Sequence, residues 1–256
     1  MSFRVGLALV FVAALVAGAG PSAASSTRAA TPSGEITVAA ASSLTEAFGQ
    51  VGEDFESEYP NTTVTFNFGS SSTLEAQLAE GAPGDVFASA DTATMDALDH
   101  ADQVRGRPVI FARNRLEIAV EPGNPARIKT LADTVEPGVL LVLCAPEVPC
   151  GKYALEAYRR AGVEVPPVPT GLTAKDTLSK VALGEADAAV VYVTDLQAAK
   201  GDVAGVRIRA RDNVVARYPI AVVEATENAA AAKAFVKYMT STPGQSTLRK
   251  FGFLAP

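Results

Sequence analysis

Apolar positions along this chain change period in a regular way. "ITVAAA" (36–41) is a continuous run of small and apolar residues, the pattern of a buried strand. Leu44, Ala47, Phe48, Val51 and Phe55 then keep helical spacing, and Tyr59-Pro60 ends that helix. "TVTFNF" (63–68) alternates with period two, and "TLEAQLAEG" (73–81) is a helix closed by Gly81. The alternation continues. Strands are expected at "DVFASA" (85–90), "RLEIAVEPGNP" (115–125), "GVLLVLC" (138–144), "DAAVVYV" (187–193) and "YPIAVVEA" (218–225). Helices are expected at "TATMDALD" (92–99), "GKYALEAYRRAG" (151–162), "KDTLSKVALGEA" (175–186), "AAAKAFVKYMT" (230–240) and "GQSTLRKFGF" (244–253). Strand–helix alternation of this kind predicts an α/β fold with largely parallel sheets. Ligands in such folds sit beyond the carboxyl ends of the strands.

The first residues break the pattern. Arg4 precedes an uncharged apolar run from Val5 to Ala17, and Ala17-Gly18-Ala19 resembles a cleavage site. The run is too short to span a membrane, so residues 1–19 read as a secretory signal peptide. "PSAASSTRAATPSG" (21–34) lacks large apolar residues, and 20–34 reads as a disordered tether. A periplasmic or extracytoplasmic protein follows, without a cysteine placed for lipid attachment. The net charge of -6 and the lack of a basic cluster exclude nucleic acid as a natural partner. Cys144 and Cys150 form a close pair, for which a disulfide is the expectation in an exported chain. A metal site is disfavoured, since two thiols and one distant histidine, His100, do not complete a four-ligand shell.

Candidate chemistry lies where two strands hand over to helices, at "AASSLTEAF" and "FGSSSTLEAQL". Ser43 to Glu46 and Ser72 to Glu75 both match the S-x-x-E capping box. A cap needs one hydroxyl, however, and here Ser42 stands beside Ser43, and Ser70 and Ser71 before Ser72. Helix starts carry unpaired N–H groups and partial positive charge. Added hydroxyl donors make a cradle for an anion without formal charge. Further donors come from the helix starts near Cys150-Gly151 and Asp176-Thr177, and from the phenol of Tyr192. An exported serine hydrolase is the rival reading. It needs a base, and the sole histidine, His100, sits at a helix end with no G-x-S-x-G elbow in the chain.

The segments "ITVAAASSLTEAF", "FGSSSTLEAQLAEGAPGDVFASAD", "PEVPCGKYALEA", "ADAAVVYVTD", "YPIAVVE" and the closing "FGF" resemble the periplasmic molybdate-binding proteins of ABC transporters. The resemblance implies a two-lobed type II periplasmic-binding-protein fold with a hinge and an interlobe ligand cleft. It implies lobes of 35–113 plus 218–256 and of 114–217, with crossings near Asn114 and Arg217. It implies a monomer that is not an enzyme, has no cofactor, binds molybdate or tungstate, and delivers it to a membrane permease. Carried over residue by residue, the contacts are the hydroxyls of Ser43, Ser71 and Tyr192 and the amides of Cys150 and Thr177. Sulfate or phosphate remains the alternative ligand in the same fold.

Overall fold

The computed structural model describes residues 1–3 and 31–256. The expected signal peptide and tether therefore lie outside the described residues, apart from 1–3 and 31–34. β1 (Gly34–Ala41) passes through a 3-10 turn (Ser42–Leu44) into α1 (Thr45–Glu58). β2 (Thr62–Gly69), α2 (Ser71–Ala79), β3 (Val86–Ala88) and α3 (Thr92–His100) follow. β4 (Val104–Val120) is the longest strand described, at 17 residues. Then come β5 (Leu141–Cys144), α4 (Pro149–Ala161), β6 (Thr170–Gly171), α5 (Ala174–Ala182), β7 (Ala188–Tyr192) and α6 (Val193–Ala198). β8 (Ala204–Arg207), β9 (Val215–Val223), α7 (Ala229–Met239) and α8 (Thr242–Lys250) complete the described chain.

The strands run in the order β2-β1-β3-β9-β4-β7-β5-β6, with β8 beside β4. Parallel pairing holds at the flanks, where β1 pairs β2 and β3, and β5 pairs β6 and β7. The centre is antiparallel, which corrects the expectation of largely parallel sheets. The cause is β4. Its first two-thirds pair with β9, from Val104↔Val223 to Arg115↔Val215. Its last residues pair with β7, from Leu116↔Tyr192 to Val120↔Ala188. β4 and β9 are thus the two passages between a strand group made by β1, β2 and β3 and another made by β5, β6 and β7.

β4 begins eleven residues before the strand expected at Arg115. Gly106 and Pro108 hide it, and the ladder does break there, with a register shift between Arg105 and Val109 and a φ of 88° at Gly106. Proline cannot donate to a ladder, so it survives at such an irregularity. Around the first strand group α1 buries Phe48, whose ring lies 5.8 Å from Phe66 and Phe111 and 6.0 Å from Phe235. Burying one such ring is worth about 1.5–3 kcal/mol. These contacts hold the start of α1 against the end of β1, where the serines stand.

Candidate functional site

Four strand ends and two helix starts open on one small cavity. It is lined by Ser42 and Ser43 after β1, Ser70 and Ser71 after β2, Ala90 after β3, Cys150 at the start of α4, Ala174 at the start of α5, and Tyr192 at the end of β7. Leu172 and Thr173 close one side. No lining residue carries a charge. The space open to the centre of a water-sized sphere is about 20 Å³. One water needs roughly 10–15 Å³ on that measure, so the room suits a small polyatomic ion. His100 is exposed at the end of α3 and does not line the cavity.

Neither expected capping box forms. The residue preceding α1 is Leu44 and that preceding α2 is Ser70, and neither accepts a helix amide with its side chain. The 3-10 turn delays α1 beyond Ser43, and α2 starts before Ser72, so both serines miss the cap position. They are used otherwise. Ser43 Oγ lies 2.9 Å from the Tyr218 hydroxyl. Ser71 Oγ accepts the Ala90 amide at 3.0 Å, which leaves its own proton to donate. Ser72 donates to the Glu147 carbonyl at 3.0 Å, joining α2 to the loop before α4.

Cys144 and Cys150 are disulfide-bonded, with Cα atoms 5.8 Å apart. The bridge ties the end of β5 to the first turn of α4. The earliest α4 amide that bonds back is that of Lys152, to the Val148 carbonyl. The amides of Cys150 and Gly151 precede it and are the orphan donors of this helix start. Gly151 is required here, because a Cβ would fall 2.0 Å from the Ala145 carbonyl oxygen.

Thr177 lies elsewhere. It is fully buried, its amide donates to Thr173 O at 3.1 Å, and its hydroxyl donates to the same carbonyl and towards Cys144 Sγ. Its N–H is therefore spent inside α5, which starts earlier than "KDTLSKVALGEA" suggested. Thr173 is the true cap, accepting the Asp176 amide at 3.0 Å. The unspent amides are those of Ala174 and Lys175, and Ala174 lines the cavity. The sequence signal was present as Thr173-x-x-Asp176, a T-x-x-D pattern of the capping kind.

Tyr192 is fully buried and its hydroxyl has no hydrogen-bond partner among the described residues. Burial raises its pKa well above the ordinary phenol value, with Tyr218 and nearby carboxylates adding to the rise. The phenol stays a donor at any physiological pH. Asp195 Oδ2 accepts the Tyr192 amide at 3.1 Å, while Oδ1 has no partner among the described residues. Burial pushes that carboxyl up to about 7, against the pull of the Tyr192 amide and of Lys175. Two ion pairs join residues adjacent in sequence to or near the lining, Lys175 with Glu46 and Lys152 Nζ with Asp91 Oδ2 at 3.7 Å.

An uncharged nest of helix starts between two strand groups defines a receptor for a small solute. The chain belongs to the family of bacterial extracellular solute-binding proteins, whose pattern matches residues 36–254. Among curated relatives, the molybdate-binding protein ModA of Mycobacterium tuberculosis (strain H37Rv) is 39% identical over 258 residues, covering 98% of this chain and 99% of the relative. The substrate-binding domain of a putative molybdenum ABC transporter from Clostridium difficile has a TM-score of 0.66 at 26% identity, over 87% of this chain and 99% of that one. The sulfate-binding protein SubI of Mycobacterium tuberculosis superposes with a TM-score of 0.78 at 18% identity, over 86% of each chain, a likeness of fold alone. The fold is the α/β type II periplasmic-binding fold.

Proposed function

We propose that this chain is the extracytoplasmic binding component of an ABC importer and that its ligand is molybdate, with tungstate as a near-equivalent. The observation that carries the reading is the lining itself: a small, uncharged cavity into which buried hydroxyls and unspent helix amides converge. A buried dianion needs many donors, and neutral dipoles supply them without a counter-charge. The names of the relatives point to molybdate. The proposed contacts are the hydroxyls of Ser43, Ser71 and Tyr192 and the amides of Cys150 and Ala174, with Ala174 in place of Thr177. A hydrolytic serine would need a base beside it, and none lines the cavity.

The segments 35–113 plus 218–256 and 114–217 act as two lobes that hinge where β4 and β9 cross, near Asn114 and Arg217. Ligand contacts come from both, so binding favours closure. The closed monomer is what the membrane permease recognises. Calorimetric titration with molybdate, tungstate, sulfate and phosphate tests the reading. Tight binding of the first two with weak binding of the others is expected. Sulfate binding tightest of the four overturns the choice of ligand.

A further inference from the structure

Behind Ser43 stands a chain of hydrogen bonds whose direction can be worked out. Asn114, 1% exposed, accepts the Arg115 amide at 2.9 Å through Oδ1. That fixes its amide, so Nδ2 carries both donors. They go to Thr194 Oγ1 at 2.9 Å and to the Tyr218 hydroxyl at 3.4 Å. Tyr218 therefore accepts from Asn114. Its own proton is retained, since burial raises the phenol far above its ordinary value. The remaining partner of that proton among the described residues is Ser43 Oγ at 2.9 Å. Ser43 must then accept from Tyr218, and its own proton is left to point into the cavity it lines.

We propose that Asn114 and Tyr218 are positioning residues that determine specificity: they lock Ser43 as a donor and so make the site reject oxyanions that carry a proton. The proposal rests on the anion-binding reading above. A fully deprotonated dianion offers acceptors only and suits a donor-only lining. Hydrogen phosphate brings a hydroxyl that needs an acceptor. Ser43 Oγ could serve only by turning its own proton aside towards Tyr218, and the Tyr218 proton already holds that direction, which keeps the Ser43 proton facing the cavity. The position of the chain in the fold adds to this. Asn114 and Tyr218 lie on the paired strands β4 and β9, and Thr194 follows Tyr192 on α6, so the same three residues join the Ser43 side of the cavity to the Tyr192 side.

The test is competition titration of molybdate and of hydrogen phosphate at pH 8 against the full exported protein and its Tyr218→Phe variant. Removing the Tyr218 hydroxyl lets Ser43 turn its proton aside and present a lone pair to the phosphate hydroxyl. The molybdate-to-phosphate affinity ratio is expected to fall by about tenfold or more, the size of one buried hydrogen bond. A structural role alone would weaken both anions alike and leave the ratio unchanged, and that result overturns the proposal. Asn114→Asp provides a second route. Its carboxylate can accept the Tyr218 proton, Tyr218 then accepts from Ser43, and the ratio is expected to move the same way, the added charge acting alike on both dianions and cancelling from the ratio. The unaltered protein gives a check that needs no variant: phosphate binding as tight as molybdate also overturns the proposal. Failure to bind any oxyanion would instead sink the anion reading on which it stands.

Discussion

Ser71 shows how one hydroxyl does two things at once. It accepts the Ala90 amide, and its freed proton faces the cavity. Ser71→Ala is expected to weaken molybdate binding by about 1.5–3 kcal/mol, the range for a hydrogen bond to a charged group. That is roughly 10- to 150-fold by calorimetry. Ser241 is the control, a helix cap that accepts the Gly244 amide on α8 and does not line the cavity. Ser241→Ala should cost about 1 kcal/mol of stability and leave affinity unchanged. Asp195 makes a different kind of residue-level prediction. Its carboxyl titrates at about 7 when folded, and near 3.9 in an unfolded chain. Between those values the folded state binds the extra proton, so stability falls as pH rises from about 4 to about 7. Asn at this position keeps the acceptor for the Tyr192 amide and cannot ionise. The stability of Asp195→Asn relative to the parent is expected to grow by about 2.5 kcal/mol between pH 5 and pH 8. Chemical denaturation at the two pH values reads it. Any constant offset from the new buried amide cancels in that comparison, and parallel pH profiles would refute the assignment.

At the scale of elements, the site is a set of helix starts, and its chemistry depends on which amide each helix leaves unspent. Ala174 can be tested without harming its helix. It occupies the first position of α5, where proline is tolerated, and Thr173 before it is extended at φ -132°, ψ 165°, as a residue before proline should be. Ala174→Pro removes one N–H and is expected to lower molybdate affinity about tenfold or more with little change in melting temperature. Thr177→Val removes a hydroxyl bound inside α5 and should leave affinity nearly unchanged. The contrast shows where the sequence could be read and where it could not. Apolar period marked most strands and helices, because burial imposes it. Serine runs and a strand-ending tyrosine marked a cavity, because isolated caps do not need three hydroxyls. Helix starts were less legible. Capping patterns at Ser43 and Ser72 looked as good as that at Thr173, yet only Thr173 caps. A 3-10 turn before α1 and a two-residue shift at α2 decide the outcome, and both are set by tertiary packing. β6, α6 and β8 are too short, at 2, 6 and 4 residues, to impose a period.

For the whole molecule, on the proposed two-lobe reading, the question is what holds the closed form shut. Residue patterns alone do not reveal it, since the pairs involved are 129 and 61 residues apart and meet only through the fold. Lys175 on α5 pairs with Glu46 on α1, and Lys152 on α4 pairs with Asp91 before α3. Each pair links a helix that starts at the cavity to the opposite strand group. Exposed pairs are worth about 0.2–1 kcal/mol, and Lys175 and Glu46 are both 38% exposed, so this one belongs in that range. Such a small term matters little to folding. It matters to release, because dissociation requires opening, and 1 kcal/mol shifts an open–closed equilibrium about fivefold. Two accounts of the pair make opposite predictions. If its charges act only through their field on the anion, Glu46→Gln should tighten binding, Lys175→Met should weaken it, and the double variant should sum the two. If the pair is a latch, each single variant should speed molybdate release by about two- to fivefold. The double variant should then release no faster than either, since the interaction is already lost. The latch also predicts that salt speeds release of the parent protein and has much less effect on the double variant, because the screened interaction is absent there. Stopped-flow displacement of bound molybdate at low and high salt measures all of this. Additive effects of opposite sign would remove the latch and leave closure to the anion and its donors alone.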